Sequence, residues 1–104
     1  LTLTGKMAEE NLSNFQMEAA FIGINAIDRD GNIYVSSIVE SSILHVLFER
    51  VPHIYILADA SKLGQKDFVH VGALDSRHTL ITTNEIPKDC LDTYQALGTE
   101  IVLA

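Results

Sequence analysis

The chain has 104 residues, of which 47% are hydrophobic and 20% charged, with 14 acids against 7 bases and a formal net charge of -7. That length suits one domain with a modest core and not two. The bases Lys6, Arg29, Arg50, Lys62, Lys66, Arg77 and Lys88 are scattered rather than clustered, which excludes a nucleic-acid surface on this piece.

No apolar run approaches the roughly 20 residues needed to cross a bilayer, and no signal-peptide pattern is visible. A cytoplasmic location and no membrane partner are expected. The single cysteine, Cys90, excludes an internal disulfide and a multi-cysteine metal site. The chain starts at Leu1 and its first residues already read as a strand, so it looks like a piece of a longer protein.

Residues 1–4, Leu-Thr-Leu-Thr, read as a short strand ended by Gly5. Residues 7–15 carry Met7, Leu12 and Phe15 with polar residues between, the pattern of an amphipathic helix. Residues 19–24, Ala-Ala-Phe-Ile-Gly-Ile, form a continuous apolar strand. It ends in Asn25-Ala-Ile-Asp28-Arg-Asp30-Gly31-Asn32, which has turn chemistry. Ile33 and Val35 suit a short extended piece. Ser36 or Ser37 suits an N-cap, and Glu40 is spaced to close a capping box with Ser37. The helix then runs to about Arg50. With Ile38, Ile43, Leu44, Val46, Leu47 and Phe48 it should be largely buried, and Pro52 stops it.

Residues 54–58, Ile-Tyr-Ile-Leu-Ala, lead straight into Asp59-Ala-Ser61-Lys62. A buried strand that delivers polar groups at its C-terminal end has this form. Residues 68–71 are another short strand candidate, and residues 79–83 a β-branched strand. Pro87 sits at a helix start, at the N1 position. That helix reaches Leu97, with Gly98 as its C′ stop, and residues 99–103 make a final buried strand. Strands alternating with helical stretches predict βαβ units: a single α/β domain with a mainly parallel sheet and flanking helices, Rossmann-like in organisation.

In open α/β sheets, ligands bind outside the carboxyl ends of the strands. Asp59, Ser61 and Lys62 fall there. Lys62 is a point charge suited to a phosphate, Ser61 a hydroxyl donor, and Asp59 an acceptor for sugar hydroxyls or an orienter of Lys62. The plainer reading is that Asp59 caps the turn and Lys62 is solvated. Asn25 and Asp28 follow the preceding strand and could bond polyol hydroxyls; for Asp30-Gly31 an Asx-rich turn is the simpler reading. Glu40 is either an acid near the ligand or a helix cap. The spacing Asp28-x-Asp30-x-Asn32 faintly resembles a calcium loop, but no bidentate Glu follows at the required distance, so no metal is expected. The four histidines lack ligand spacing. No P-loop or Gly-x-Gly-x-x-Gly sequence is present, and no cofactor is expected.

Residues 17–28 (Met-Glu-Ala-Ala-Phe-Ile-Gly-Ile-Asn-Ala-Ile-Asp), then Glu40, then residues 56–64 (Ile-Leu-Ala-Asp-Ala-Ser-Lys-Leu-Gly), then residues 80–84 (Leu-Ile-Thr-Thr-Asn), come in an ordered set. This set resembles the C-terminal effector domain of DeoR-type transcriptional regulators. The resemblance covers nearly the whole chain from Met17. It implies a fold similar to ribose-5-phosphate isomerase A, a phosphorylated sugar as effector, and operator DNA as partner through an N-terminal winged helix-turn-helix domain absent from this chain. It implies effector contacts for Asp59 and Lys62 in an Asp-x-Ser-Lys motif, and matches Asp28 and Glu40 to family positions. Glu18 stands where the family usually has Asp before the Phe-Ile-Gly strand, Ala26 where it has Gly, Thr83 where it has Asp, and Lys6 follows Gly5 where it has a second glycine.

The leading expectation is therefore the ligand-sensing domain of a sugar-operon regulator, a repressor, forming a homo-oligomer and without enzymatic activity. The alternatives are a phosphosugar isomerase with Asp28 or Glu40 as base, for which the second acid loop and the glycine-rich lysine loop are missing, and an oligomerisation module without a ligand.

Overall fold

The computed structural model describes residues 18–104; the strand expected over residues 1–4 and the helix expected over residues 7–15 lie outside them. The elements are β1 (Ala19–Gly23), β2 (Ala26–Ile27), β3 (Asn32–Val35), α1 (Ile38–Arg50), β4 (His53–Leu57), β5 (Val69–Ala73), β6 (His78–Thr82), α2 (Lys88–Ala96) and β7 (Glu100–Leu103). A 3-10 turn, Ala60–Lys62, follows β4.

Four strands form a wholly parallel sheet in the order β1-β4-β6-β7. The α/β class and mainly parallel sheet expected from the sequence are what the fold shows. A second, antiparallel sheet, β2-β3-β5, accompanies it. The sequence pattern marked β3 and β5, but it read Ala26 and Ile27 of β2 as part of a turn and did not mark the separate pairing.

Period-two alternation explains the core. In β4, Ile54 and Ile56 point to one face and are fully buried, while Tyr55 is half-buried on the other. Leu80 of β6 and Ile22 of β1 join them, and Ile33 and Val35 enter from the second sheet. Each such side chain contributes about 2 kcal/mol of transfer free energy.

Helix α1 starts as expected: the Glu40 amide donates to the Ser37 hydroxyl at 3.2 Å, the N-cap bond. It buries one stripe, Ser41, Leu44, Leu47 and Phe48, rather than most of its surface. Ile38 and Val39 in its first turn are exposed, because the helix covers the second sheet on one side only. The bulge where β3 pairs β5 sets Gly72 against the Phe48 ring: a Cβ there would lie 3.0 Å from Cε2, so glycine is what admits the ring.

Two further expectations are corrected. Pro87 is the residue before the first helical residue of α2, at the cap rather than N1, and it supplies no side-chain cap. The last strand is not buried: β7 is an edge strand with Val102 and Leu103 exposed. An apolar run reads alike in a central and in an edge strand. Gly98 ends α2 in the left-handed region, as its C′ position predicts. Among the described residues, no helix is long and apolar enough to cross a membrane.

Candidate functional site

The register of the parallel sheet builds a row of side chains at its C-terminal edge. Gly23, Leu57 and Ile81 are aligned across β1, β4 and β6. Two residues further along each strand come Asn25, Asp59 and Thr83. Hydrogen bonds tie its β4 and β6 members: the Ala58 amide donates to the Ile81 carbonyl at 3.1 Å, and the Ala60 amide to the Thr83 hydroxyl at 3.3 Å.

Asp59 caps the 3-10 turn. One carboxylate oxygen accepts from the Ser61 amide at 2.9 Å and from the Ser61 hydroxyl. The hydroxyl bond, then the amide bond, then the positive charge of Lys62 hold its pKa below the usual carboxylate range. Asp59 is therefore ionised at neutral pH, and its second oxygen accepts no hydrogen bond among the described residues. Ser61 spends its hydroxyl on Asp59. Lys62 ends the turn, half-buried, and is in no ion pair among the described residues. Both readings of this tetrapeptide thus meet in one geometry: the acid caps, and the ammonium it attracts is left available.

The loop is not loosely held. Leu63 is buried and bridges to Ile27 in parallel, and the Ile27 carbonyl accepts from the Gly64 amide at 2.7 Å and the Gln65 amide at 3.2 Å. Those bonds join the Lys62 loop to the loop that carries Asp28.

Asp28 is buried, and its carboxylate is occupied on both oxygens. One accepts from the amides of Asp30 and Asn32, each at 2.9 Å. The other accepts from the Asn32 side-chain amide at 3.1 Å and the Tyr34 hydroxyl at 3.0 Å. Burial alone would raise its pKa; these four donors more than offset that and hold it below the ordinary value. The arrangement closes the turn from β2 to β3 and leaves no vacant lone pair pointed at a ligand in this state. From below, the buried Tyr94 hydroxyl donates to the Asp28 carbonyl at 2.8 Å. Burial pushes that phenol's pKa upward.

Asn25 accepts from the Ser36 amide at 3.1 Å, which sets the start of α1 beside the strand-end row. Its side-chain NH2 has no partner among the described residues. Glu40 lies exposed in the first turn of α1, and its carboxylate makes no hydrogen bond there; the reciprocal half of the capping box is not formed. The structure thus brings together Asp59, Ser61 and Lys62, adds Thr83, stitches the Asp28 loop to them, places Asn25 two residues beyond the paired end of β1 with its bonds to Ser36 and Tyr34, and leaves Glu40 exposed in the first turn of α1. Thr83 was visible in the sequence only as a family departure. Tyr34, Asn32 and Tyr94 carried no sequence signal beyond the Asx spacing of Asp28 and Asn32.

The model of the DeoR C terminal sensor domain matches residues 1–84. The HTH-type transcriptional regulator GlpR of Haloferax volcanii is 25% identical over 100 residues, covering 96% of this chain and 39% of that protein. The glycerol-3-phosphate regulon repressor of Haemophilus influenzae is 25% identical over 101 residues, covering 97% and 39%. The L-fucose operon activator of the same organism is 24% identical over 90 residues, covering 86% and 36%. The chain thus spans about two-fifths of the length of these relatives. The chain belongs to the DeoR C terminal sensor domain family.

Proposed function

We propose that the domain binds a phosphorylated sugar at the strand-end row and passes its occupancy to a winged helix-turn-helix domain outside this chain. Lys62 would take the phosphate, Asp59 and Asn25 the sugar hydroxyls, and Ser61 would hold Asp59 in place. Asp28 would act through the loop that Leu63 and Gly64 share with it, and Glu40 would border the site from α1. The observation that carries this reading is Lys62: a half-buried lysine in no ion pair among the described residues, next to an ionised carboxylate, beyond the carboxyl ends of parallel strands.

The relatives' names bear on the two halves of this ligand class separately: one regulon is named for glycerol-3-phosphate, a phosphorylated polyol, and one operon for L-fucose, an unphosphorylated sugar. The attached reader is proposed to repress, as the glycerol-3-phosphate relative is named. The effector acts by differential affinity for DNA-competent and released states, a coupling typically of about 1–3 kcal/mol.

The test is a thermal-shift titration with a panel of sugar phosphates and their unphosphorylated counterparts. The expected result is a saturable rise in melting temperature with at least one phosphorylated compound, lost in Lys62→Ala. No response to any compound, or a response that Lys62→Ala leaves intact, refutes the assignment.

A further inference from the structure

The loop that carries Lys62 has a second cation laid against it. Ile27 and Leu63 form a parallel bridge, and the Ile27 carbonyl accepts from the Gly64 and Gln65 amides. Arg29 stands two residues past that bridge and Lys62 one before it, so extended chain puts their Cα atoms at most roughly 11 Å apart. The Arg29 side chain spans part of that gap: its Cγ and Nε each lie 3.9 Å from where a Cβ on Gly64 would sit. The backbone that delivers it is fixed, because the preceding Asp28 accepts four hydrogen bonds on its carboxylate and one from the Tyr94 hydroxyl on its carbonyl.

Arg29 donates from Nη1 to an Asp89 carboxylate oxygen, and has no other hydrogen-bond partner among the described residues. That pair is weakly held. Both side chains are more than half exposed, so water and salt screen it. Asp89 also lies in the first turn of α2, where the helix dipole favours an acid without a counter-ion.

We propose that Arg29 is a second phosphate-binding residue, held by Asp89 until the effector arrives. The proposal rests on the reading that Lys62 takes a phosphate. Lys62 supplies a point charge, and Arg29 a planar fork that bonds two phosphate oxygens at once. Phosphate replaces Asp89 on the guanidinium. Two cations suit a phosphomonoester, which carries close to two negative charges at neutral pH, better than a sugar acid with a single carboxylate. Three of the seven bases, Arg29, Lys62 and Lys66, lie on the two segments that the bridge joins, which gives an anion a local attraction despite the net charge of -7.

The experiment is a titration of the chain with inorganic phosphate at fixed ionic strength, read at the Ser61 and Gly64 amide chemical shifts. Lys62→Ala abolishes binding. Arg29→Ala weakens it about tenfold, the loss of charge-assisted hydrogen bonds, and Arg29→Lys restores only part. Asp89→Asn tightens it about two- to threefold, because the competing carboxylate is gone. Lys66→Ala removes the same charge as Arg29→Ala and changes affinity less than about twofold, as screening expects of a cation outside the contact. The wild-type preference for phosphate over acetate falls in Arg29→Ala. A purely structural ion pair predicts instead that Arg29→Ala and Asp89→Asn act in the same direction, since either breaks it; that result overturns the proposal. Phosphate binding lost in Lys62→Ala but unchanged in Arg29→Ala, or weakened equally by Lys66→Ala, also overturns it and leaves the Lys62 reading standing. Phosphate that fails to bind the wild type removes both.

Discussion

Replacing Asp28 separates a structural role from a ligand role most sharply. Its carboxylate accepts four hydrogen bonds at 2.9–3.1 Å while being 5% exposed. Hydrogen bonds to a charged group are worth about 1.5–3 kcal/mol each. These four share one carboxylate, and neighbouring losses do not add. Water can also reach part of the loop after truncation, so Asp28→Ala should cost about 3 kcal/mol. For a domain of this size that lowers the melting temperature by about 12 °C or more. Asp28→Asn keeps the shape and the two backbone bonds, but turns an NH2 toward the donating Asn32 amide, so about 1–2 kcal/mol is expected.

The pH dependence follows from the direction of the shift. The folded-state pKa is depressed, so the stabilisation is fully present above the unfolded value and is lost as pH falls through the folded value. The gap between wild type and Asp28→Asn should therefore narrow as pH falls from 7 into the acid range. Chemical denaturation of the three proteins at several pH values measures both effects. A variant Asp28→Ala within about 0.5 kcal/mol of wild type, or a gap that widens in acid, refutes the loop-closing account. Loss of the sugar-phosphate response with stability intact would instead make Asp28 a direct contact.

Three other substitutions test neighbouring parts of the fold. Tyr94→Phe removes the buried hydroxyl from the Asp28 carbonyl, which also accepts from the Gly31 amide; denaturation should show a loss of about 1 kcal/mol. Gly31→Ala meets a positive φ of 92° and a Cβ position 2.5 Å from Leu97 Cδ1. Leu97 can swing aside, so the backbone dominates, and about 1–2 kcal/mol is expected from thermal unfolding. Burial holds the His78 pKa below its ordinary value against the opposing attraction of Asp75. The neutral ring is favoured in the fold, so stability should fall as pH drops below about 6.5 toward the folded-state pKa. His78→Asn should be less stable at pH 7 but flatter across that window, and an equally steep profile would count against the assignment.

The parts of this fold that were legible in the sequence are local. Residues 54–58 announce a strand because five apolar residues end at an Asp with turn chemistry, and Ser37 announces a helix because a cap acts within one turn. Asp59 capping Ser61 is likewise a contact between neighbours. The second sheet was not legible, because pairing β3 with β5 joins segments separated by all of α1 and β4. Alternation says which residues share a face, not which strand lies alongside. The exposure of β7 was hidden for the same reason. The role of Asp28 depended on Tyr34, six positions on, and on a backbone contact from Tyr94, 66 positions on. Thr83 joined the site only through parallel register with Asp59.

The central claim is that the row of Asn25, Asp59, Ser61, Lys62 and Thr83 is where the sensor meets its effector. The most direct measurement is a titration of the isotope-labelled domain with a sugar phosphate, followed residue by residue through amide chemical shifts. The account predicts saturable shifts concentrated at residues 59–64, Asn25 and Thr83, absent in Lys62→Ala and with the unphosphorylated sugar. Shifts that map instead to the exposed face around Phe21 and Leu57, or that persist unchanged in Lys62→Ala, would contradict it.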